Sequence, residues 1–307
     1  MHMRKSLPCL LAAALLAAPV AGATQAATDR FGAVNRLMSE GKTEEALAEL
    51  RAIVAAEPTN GRAHNALGSI LNSAGFYPEA LRHAEAAVAA DPANGRYRYG
   101  YGVVLAEHGR FAEAIENFDK ALAAHPDVTY AWLERGAARL ALGDGAGATS
   151  DWARARETAP TLIWTEWYPA TGDFLAGRYA AAAATFERVA KTEAGFAPAP
   201  VWAHIARRRS GGGGEVPTPS TREWPAPVLD YFAARLSGEQ LLSLAAEDRK
   251  SGDARRIGEA HFFMGQKALI DGDRASARNH FQRAVAVDAP RHVWKMAAER
   301  ELQRLEP

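Results

Sequence analysis

The residues whose chemistry needs testing first are nine histidines, one cysteine and a glycine-rich tract. A zinc-type site needs three or four converging ligands, and Cys9 is the only thiol. Glu259 and His261 stand too close in sequence to share a helix face. His64 and His261 have no carboxylate partner in pattern, so both read as histidines at a core edge. Gly211–Gly214 is not followed by Gly-Lys-Ser/Thr and is no phosphate loop. No nucleophile elbow or dinucleotide fingerprint appears either. The expectation is a chain that is not an enzyme and carries no cofactor or metal.

Binding chemistry is better supplied. Phe31, Asn35 and Met38, then Arg62, Asn65 and Asn72, then Arg96 and Tyr99, then Tyr130 and Leu133 recur through the first half. Amides pair with peptide backbone, guanidinium groups pair with carboxylates, and aromatic or apolar side chains fill pockets. Such a set needs a scaffold that presents it on one face.

That scaffold is written in a 34-residue period. Gly68, Gly102 and Gly136 keep it, as do Ala80, Ala114 and Ala148, and Pro92, Pro126 and Pro160. Glycine opposite alanine lets two antiparallel helices cross closely. Gly75, Gly109 and Gly143 end first helices, and the prolines stop second helices. With Trp132, Gly136, Ala148, Trp152, Ala155 and Pro160 in the signature slots of one unit, the pattern resembles the tetratricopeptide repeat. The fold expected is all-α: a tetratricopeptide-repeat solenoid of antiparallel helix pairs with a C-terminal capping helix.

Repeats are placed at 27–60, 61–94, 95–128 and 129–162, with a degenerate fifth at 163–196 whose first helix is interrupted by Pro169 and Gly172. Trp164, Trp167, Tyr168 and Phe174 crowd that unit. They read as core filling, with an aromatic-lined pocket for a small molecule or peptidoglycan fragment as the alternative. Residues 197–225 read as a helix followed by a Gly/Pro linker, and 226–307 as further helices with a last repeat at 258–291, its Pro290 included, and a cap. In stacked helical hairpins the first helices line the inner side, which puts the ten residues above on a peptide or partner groove. The family's carboxylate-clamp pattern is absent, because Phe31, Ala66 and Gly100 stand where Lys, Asn and Arg are needed.

Residues 1–23 read as a secretory signal peptide: Arg4 and Lys5, an apolar Leu7–Val20, then Ala21-Gly22-Ala23 as cleavage site. A periplasmic location is expected, with no membrane span and no lipid anchor at Cys9, since Ser6-Leu7-Pro8 is a poor lipobox. Basic and acidic residues balance at 36 each, and the chain beyond residue 23 has two more acids than bases, which is no nucleic-acid footprint.

The second half carries a narrower likeness. Val201-Trp202-Ala203-His204-Ile205-Ala206-Arg207, Trp224-Pro225-Ala226-Pro227-Val228-Leu229-Asp230-Tyr231-Phe232 and Glu259-Ala260-His261-Phe262-Phe263-Met264-Gly265 are similar to the NlpI-type group of exported bacterial repeat proteins. The resemblance implies an envelope adaptor that forms a homodimer and brings peptidoglycan hydrolases to a protease. It implies no particular binding residue.

Overall fold

The computed structural model describes residues 25–247, 254–289 and 292–306. The leader through Ala23, Cys9 and Pro290 lie outside them. Among the described residues there are sixteen helices and no strand. They are α1 Gln25–Ser39, α2 Thr43–Ala56, α3 Gly61–Ser73, α4 Tyr77–Ala90, α5 Gly95–Glu107, α6 Phe111–Ala124, α7 Thr129–Ala141, α8 Gly145–Thr158, α9 Trp164–Leu175, α10 Tyr179–Thr192, α11 Pro198–Arg209, α12 Pro227–Phe232, α13 Gly238–Ala246, α14 Ala254–Ile270, α15 Arg274–Val285 and α16 Val293–Leu305.

Local chemistry sets the boundaries. Asn60, Asn94, Asp144 and Asp273 cap α3, α5, α8 and α15 by accepting backbone N–H groups. Ser237 and Gln240 form a capping box at α13. Gly41, Gly75, Gly109, Gly143, Gly177 and Gly211 all have φ between +72° and +88° and follow one another at 34 residues. The period of the turn therefore runs one step beyond the fifth repeat, to the end of α11. No helix follows between Ser210 and Ala226.

The chain forms two compact units, one up to Ala138 and one from Arg139. In the first, α1 to α6 and the start of α7 bury Phe31, Val34, Leu47, Leu50, Ile53, Leu67 and Leu71, then Leu105, Phe118 and Leu122. Helices cross closely where a glycine faces its partner. A Cβ on Gly68 would lie 3.2 Å from the Ala80 carbonyl oxygen and from the Ala84 nitrogen. At Gly102 the space is taken by a ring, with Phe118 2.7 Å from the position a Cβ would occupy.

The second unit has its own core. Trp202 is 1% exposed. Its ring lies 5.1 Å from Phe174, 5.9 Å from Phe186, 5.4 Å from Phe262 and 6.1 Å from Phe263. Gly265 receives Phe281 as Gly102 receives Phe118.

The expected interruption of the fifth repeat does not occur. α9 continues through Pro169, and Gly172 is required rather than tolerated, since a Cβ there would meet the Trp152 ring at 2.6 Å. Burial of Trp164, Trp167, Phe174 and Leu175 outweighs the roughly 3 kcal/mol that an interior proline costs.

Two glycine substitutions test the close crossing. Gly102→Ala drives a methyl into Phe118 and should destabilise the chain by about 1–3 kcal/mol. Gly32→Ala, with nothing within 4 Å, should be neutral or stabilise by up to about 1 kcal/mol. Urea unfolding of the full-length variants reads the difference, and equal stabilities would contradict the packing.

Candidate functional site

The first helices of the first unit are α1, α3, α5 and the start of α7, and α3 packs on α5. The ten residues expected to line their face divide into two sets. Asn35 and Arg96 are exposed, and Met38, Arg62, Asn72 and Tyr130 are half-buried. These six form a surface.

Phe31, Asn65, Tyr99 and Leu133 are buried at 3%, 6%, 6% and 0% exposure, and are not groove anchors. The period of a single helix puts them on the inner side, but neighbouring helices close over them. Phe31 lies under the Arg62 guanidinium, 4.0 Å from ring centre to Cζ. Tyr99 packs on Phe118 with ring centres 6.0 Å apart. Asn65 fills the space that Gly100 leaves, since a Cβ on Gly100 would be 2.5 Å from its Oδ1.

The surviving surface is polar with a basic bias. Helices α1, α3, α5 and the part of α7 up to Ala138 carry six arginines and three carboxylates; α2, α4 and α6 carry three Lys/Arg and eight carboxylates. Some of that asymmetry is used inside the unit: Arg30 pairs with Glu49 at 2.7 Å and Arg135 with Asp119 at 2.5 Å. Burial, then repulsion from Arg96, holds Arg62 below the usual guanidinium range, offset in part by Tyr97. The Asn72 Oδ1 is buried without a hydrogen-bond partner.

The aromatic stretch of the fifth repeat is core. Trp164 and Trp167 meet Phe196 edge-on at 5.4 and 4.8 Å, and Trp167 also packs on Phe186 and Trp202. Their faces are covered by protein.

Beside this core lies a polar cluster that the sequence did not announce. Glu301 on α16 is 2% exposed and accepts from Arg209, Tyr179 and Arg304. Arg209 also donates to Gln266 Oε1 at 2.6 Å and to the Tyr179 hydroxyl at 2.9 Å. Burial, with Glu301 close by, pushes the Tyr179 phenol up to about 12. Arg300 and Arg304 donate to the Leu175 carbonyl, capping the end of α9. Arg209, in the last turn of α11, therefore joins α10, α14 and α16. The pairing of residues 92 apart leaves no periodic trace in the sequence.

Among the described residues no three His, Cys, Asp or Glu side chains converge as a metal site would need. One carboxyl is strongly displaced. Desolvation pushes Glu259 up to about 7, although Trp224 Nε1 donates to it at 2.7 Å.

Residues 31–75, 73–128 and 104–161 match the tetratricopeptide repeat family model. Among solved structures, the chain is similar to a tetratricopeptide repeat protein from Parabacteroides merdae, with TM-score 0.55, 14% identity, and 89% of this chain and 97% of that one covered. It is similar to PilW, a type IV pilus biogenesis factor, with TM-score 0.52, 17% identity, and 86% and 94% covered. A third similarity is to a chain of the Cut9–Hcn1 hetero-tetramer of APC/C, with TM-score 0.58, 16% identity, and 89% and 48% covered. At these identities the likeness concerns the fold. No curated protein matches the chain.

Two substitutions test the second unit. Glu301→Leu strands Arg209 in a buried place and should cost on the order of 3–5 kcal/mol, read by thermal or urea unfolding. Glu259 has a folded value above its unfolded value near 4.5, so its contribution is complete below pH 4.5 and is lost as pH rises through about 7. Glu259→Gln should remove that loss, narrowing the gap in melting temperature between pH 5 and pH 8 relative to the parent chain.

Proposed function

We propose that this chain, with tetratricopeptide repeats over 31–161, is an exported adaptor that holds a protein partner on the first-helix face of its first unit. The observation that carries the reading is the combination on that face of Arg62 and Arg96, the amides Asn35 and Asn72, and the apolar Met38 and Tyr130. Amides at this spacing suit the backbone of an extended segment, Met38 and Tyr130 suit its apolar side chains, and the arginine excess suits its carboxylates. The partner is read as a segment bearing acidic residues.

Export rests on residues 1–23, with their basic start, apolar run and small-residue cleavage site. The likeness of 200–307 to the NlpI-type group supports an envelope setting, with hydrolases or a protease as partners and a homodimer as the assembly. A small-molecule or peptidoglycan site at 164–174 is the weaker reading, because the rings that would line it are packed on one another.

Two measurements test the proposal. Residues 1–28 fused to a reporter that is active only after export should give activity, and a silent fusion would remove the envelope setting. The full chain used as bait in envelope extract should capture a partner whose retention drops about tenfold, or about 1.4 kcal/mol, in Arg96→Glu with Tyr130→Ala. Retention should also weaken with salt, as expected for rim charges. A partner retained equally by the variant would place binding elsewhere.

A further inference from the structure

One polar position recurs in the hairpins of both units. In the first repeat Arg30 of α1 reaches Glu49 of α2; in the third, Arg98 of α5 reaches Asn117 of α6 at 3.2 Å. In the second repeat the same slots hold His64 and His83, with Nδ1 to Nδ1 at 2.8 Å. In the last repeat they hold His261 of α14 and His280 of α15, with Nδ1 to Nδ1 at 3.2 Å. Every pair is 19 residues apart. The first-helix member also reaches back to the corner before it: His64 Nε2 to the Pro58 carbonyl at 3.0 Å, Arg98 Nε to Pro92 at 3.0 Å, Trp132 Nε1 to Pro126 at 2.8 Å.

This geometry fixes the protons of the second repeat. The Pro58 carbonyl only accepts, so His64 Nε2 carries the hydrogen. In the neutral ring Nδ1 is then an acceptor, and His83 donates to it through its own Nδ1–H. One proton can be added at His83 Nε2, which faces the Glu79 carboxylate at 3.9 Å, without breaking any of these bonds. A second proton must go on His64 Nδ1, which sets two N–H groups against each other 2.8 Å apart. His261 and His280 meet nitrogen to nitrogen in the same way.

We infer that His64–His83 and His261–His280 are acid-sensitive clasps, each holding the two helices of its hairpin together until both rings are charged. The slots filled by Arg30–Glu49 and Arg98–Asn117 hold the first and third hairpins without a histidine. The second repeat also presents Arg62 and Asn72, so opening its clasp loosens part of the proposed binding face. The clasps themselves do not depend on that reading.

The surrounding charges are unequal. Facing the first clasp are Glu79 and Arg82 on α4, and Arg51 of α2, which donates to Glu79. Facing the second are Arg283 on α15 and Asp273 at its cap. Burial, with a neighbouring ring or arginine, holds His83 and His280 below the ordinary histidine value and pushes His261 down to about 4. With folded values below the unfolded one near 6.5, the stability these groups contribute is complete above pH 6.5 and is lost as pH falls through their folded values, about 4 for His261. Glu259 on α14 titrates in the opposite sense over an overlapping range and is common to the parent and the variants below, so it cancels between them to first order.

The test uses the full chain. Histidine ring NMR titrations should place His83, His261 and His280 below the free value, and the thermal midpoint should fall between pH 6.5 and 4. Replacing each clasp with the pair used in the first repeat, His64→Arg with His83→Glu and His261→Arg with His280→Glu, should reduce that fall. The single variants His83→Asn and His280→Asn, after the Asn117 slot, should reduce it as well. An unchanged fall in the variants that fold, or rings that titrate at the ordinary value in the parent chain, would overturn the clasps.

Discussion

Close approach of two helices is the constraint on which this structure depends. An α-helical hairpin buries little by itself, and it excludes water only where one backbone lies against the other. Gly68 meets the backbone of α4 directly, whereas Gly102 and Gly265 accept the edge of a phenylalanine ring. The residue sixteen positions on decides which occurs: Ala84 after Gly68, Phe118 after Gly102, Phe281 after Gly265. One backbone device thus serves two packings, and the second buries far more apolar surface for the same missing Cβ.

Next to this apolar contact sits a polar one. The pairs 19 residues apart link first helix to second, and the first-helix member often reaches the carbonyl of the preceding proline corner as well. Proline leaves its carbonyl unpaired where the helix stops, so a donor six residues later satisfies a group that would otherwise need water. The requirement is for a donor of suitable reach, not for one residue type. That is why arginine, histidine and tryptophan all serve.

The second unit departs from periodic packing. Trp202 sits where rings from α9, α10 and α14 meet, although α11 has no second helix of its own. Beside it, Glu301 joins Arg209, Tyr179 and Arg304. A buried ion cluster of this kind costs desolvation and returns it only when every member is placed, so it specifies one arrangement of α10, α14 and α16 more than it adds stability. Its members come from positions 179, 209, 266, 301 and 304, which no local pattern relates.

The amino-acid sequence determined the helix pairs, their turns and their close crossings, because each depends on residues a fixed number of positions apart. The glycine turns at positive φ, the asparagine caps and the 34-residue spacing are all of this kind, and Gly211 extends the series even where the next helix is missing. The face of the first helices was legible as a set of residue types, of which Asn35 and Arg96 are exposed and Met38, Arg62, Asn72 and Tyr130 half-buried. Only the tertiary structure decided that Phe31, Asn65, Tyr99 and Leu133 are covered, that α9 runs through Pro169, and that histidines face histidines. Exposure and pairing depend on how far a neighbouring helix approaches, and that distance is set by side chains many turns away.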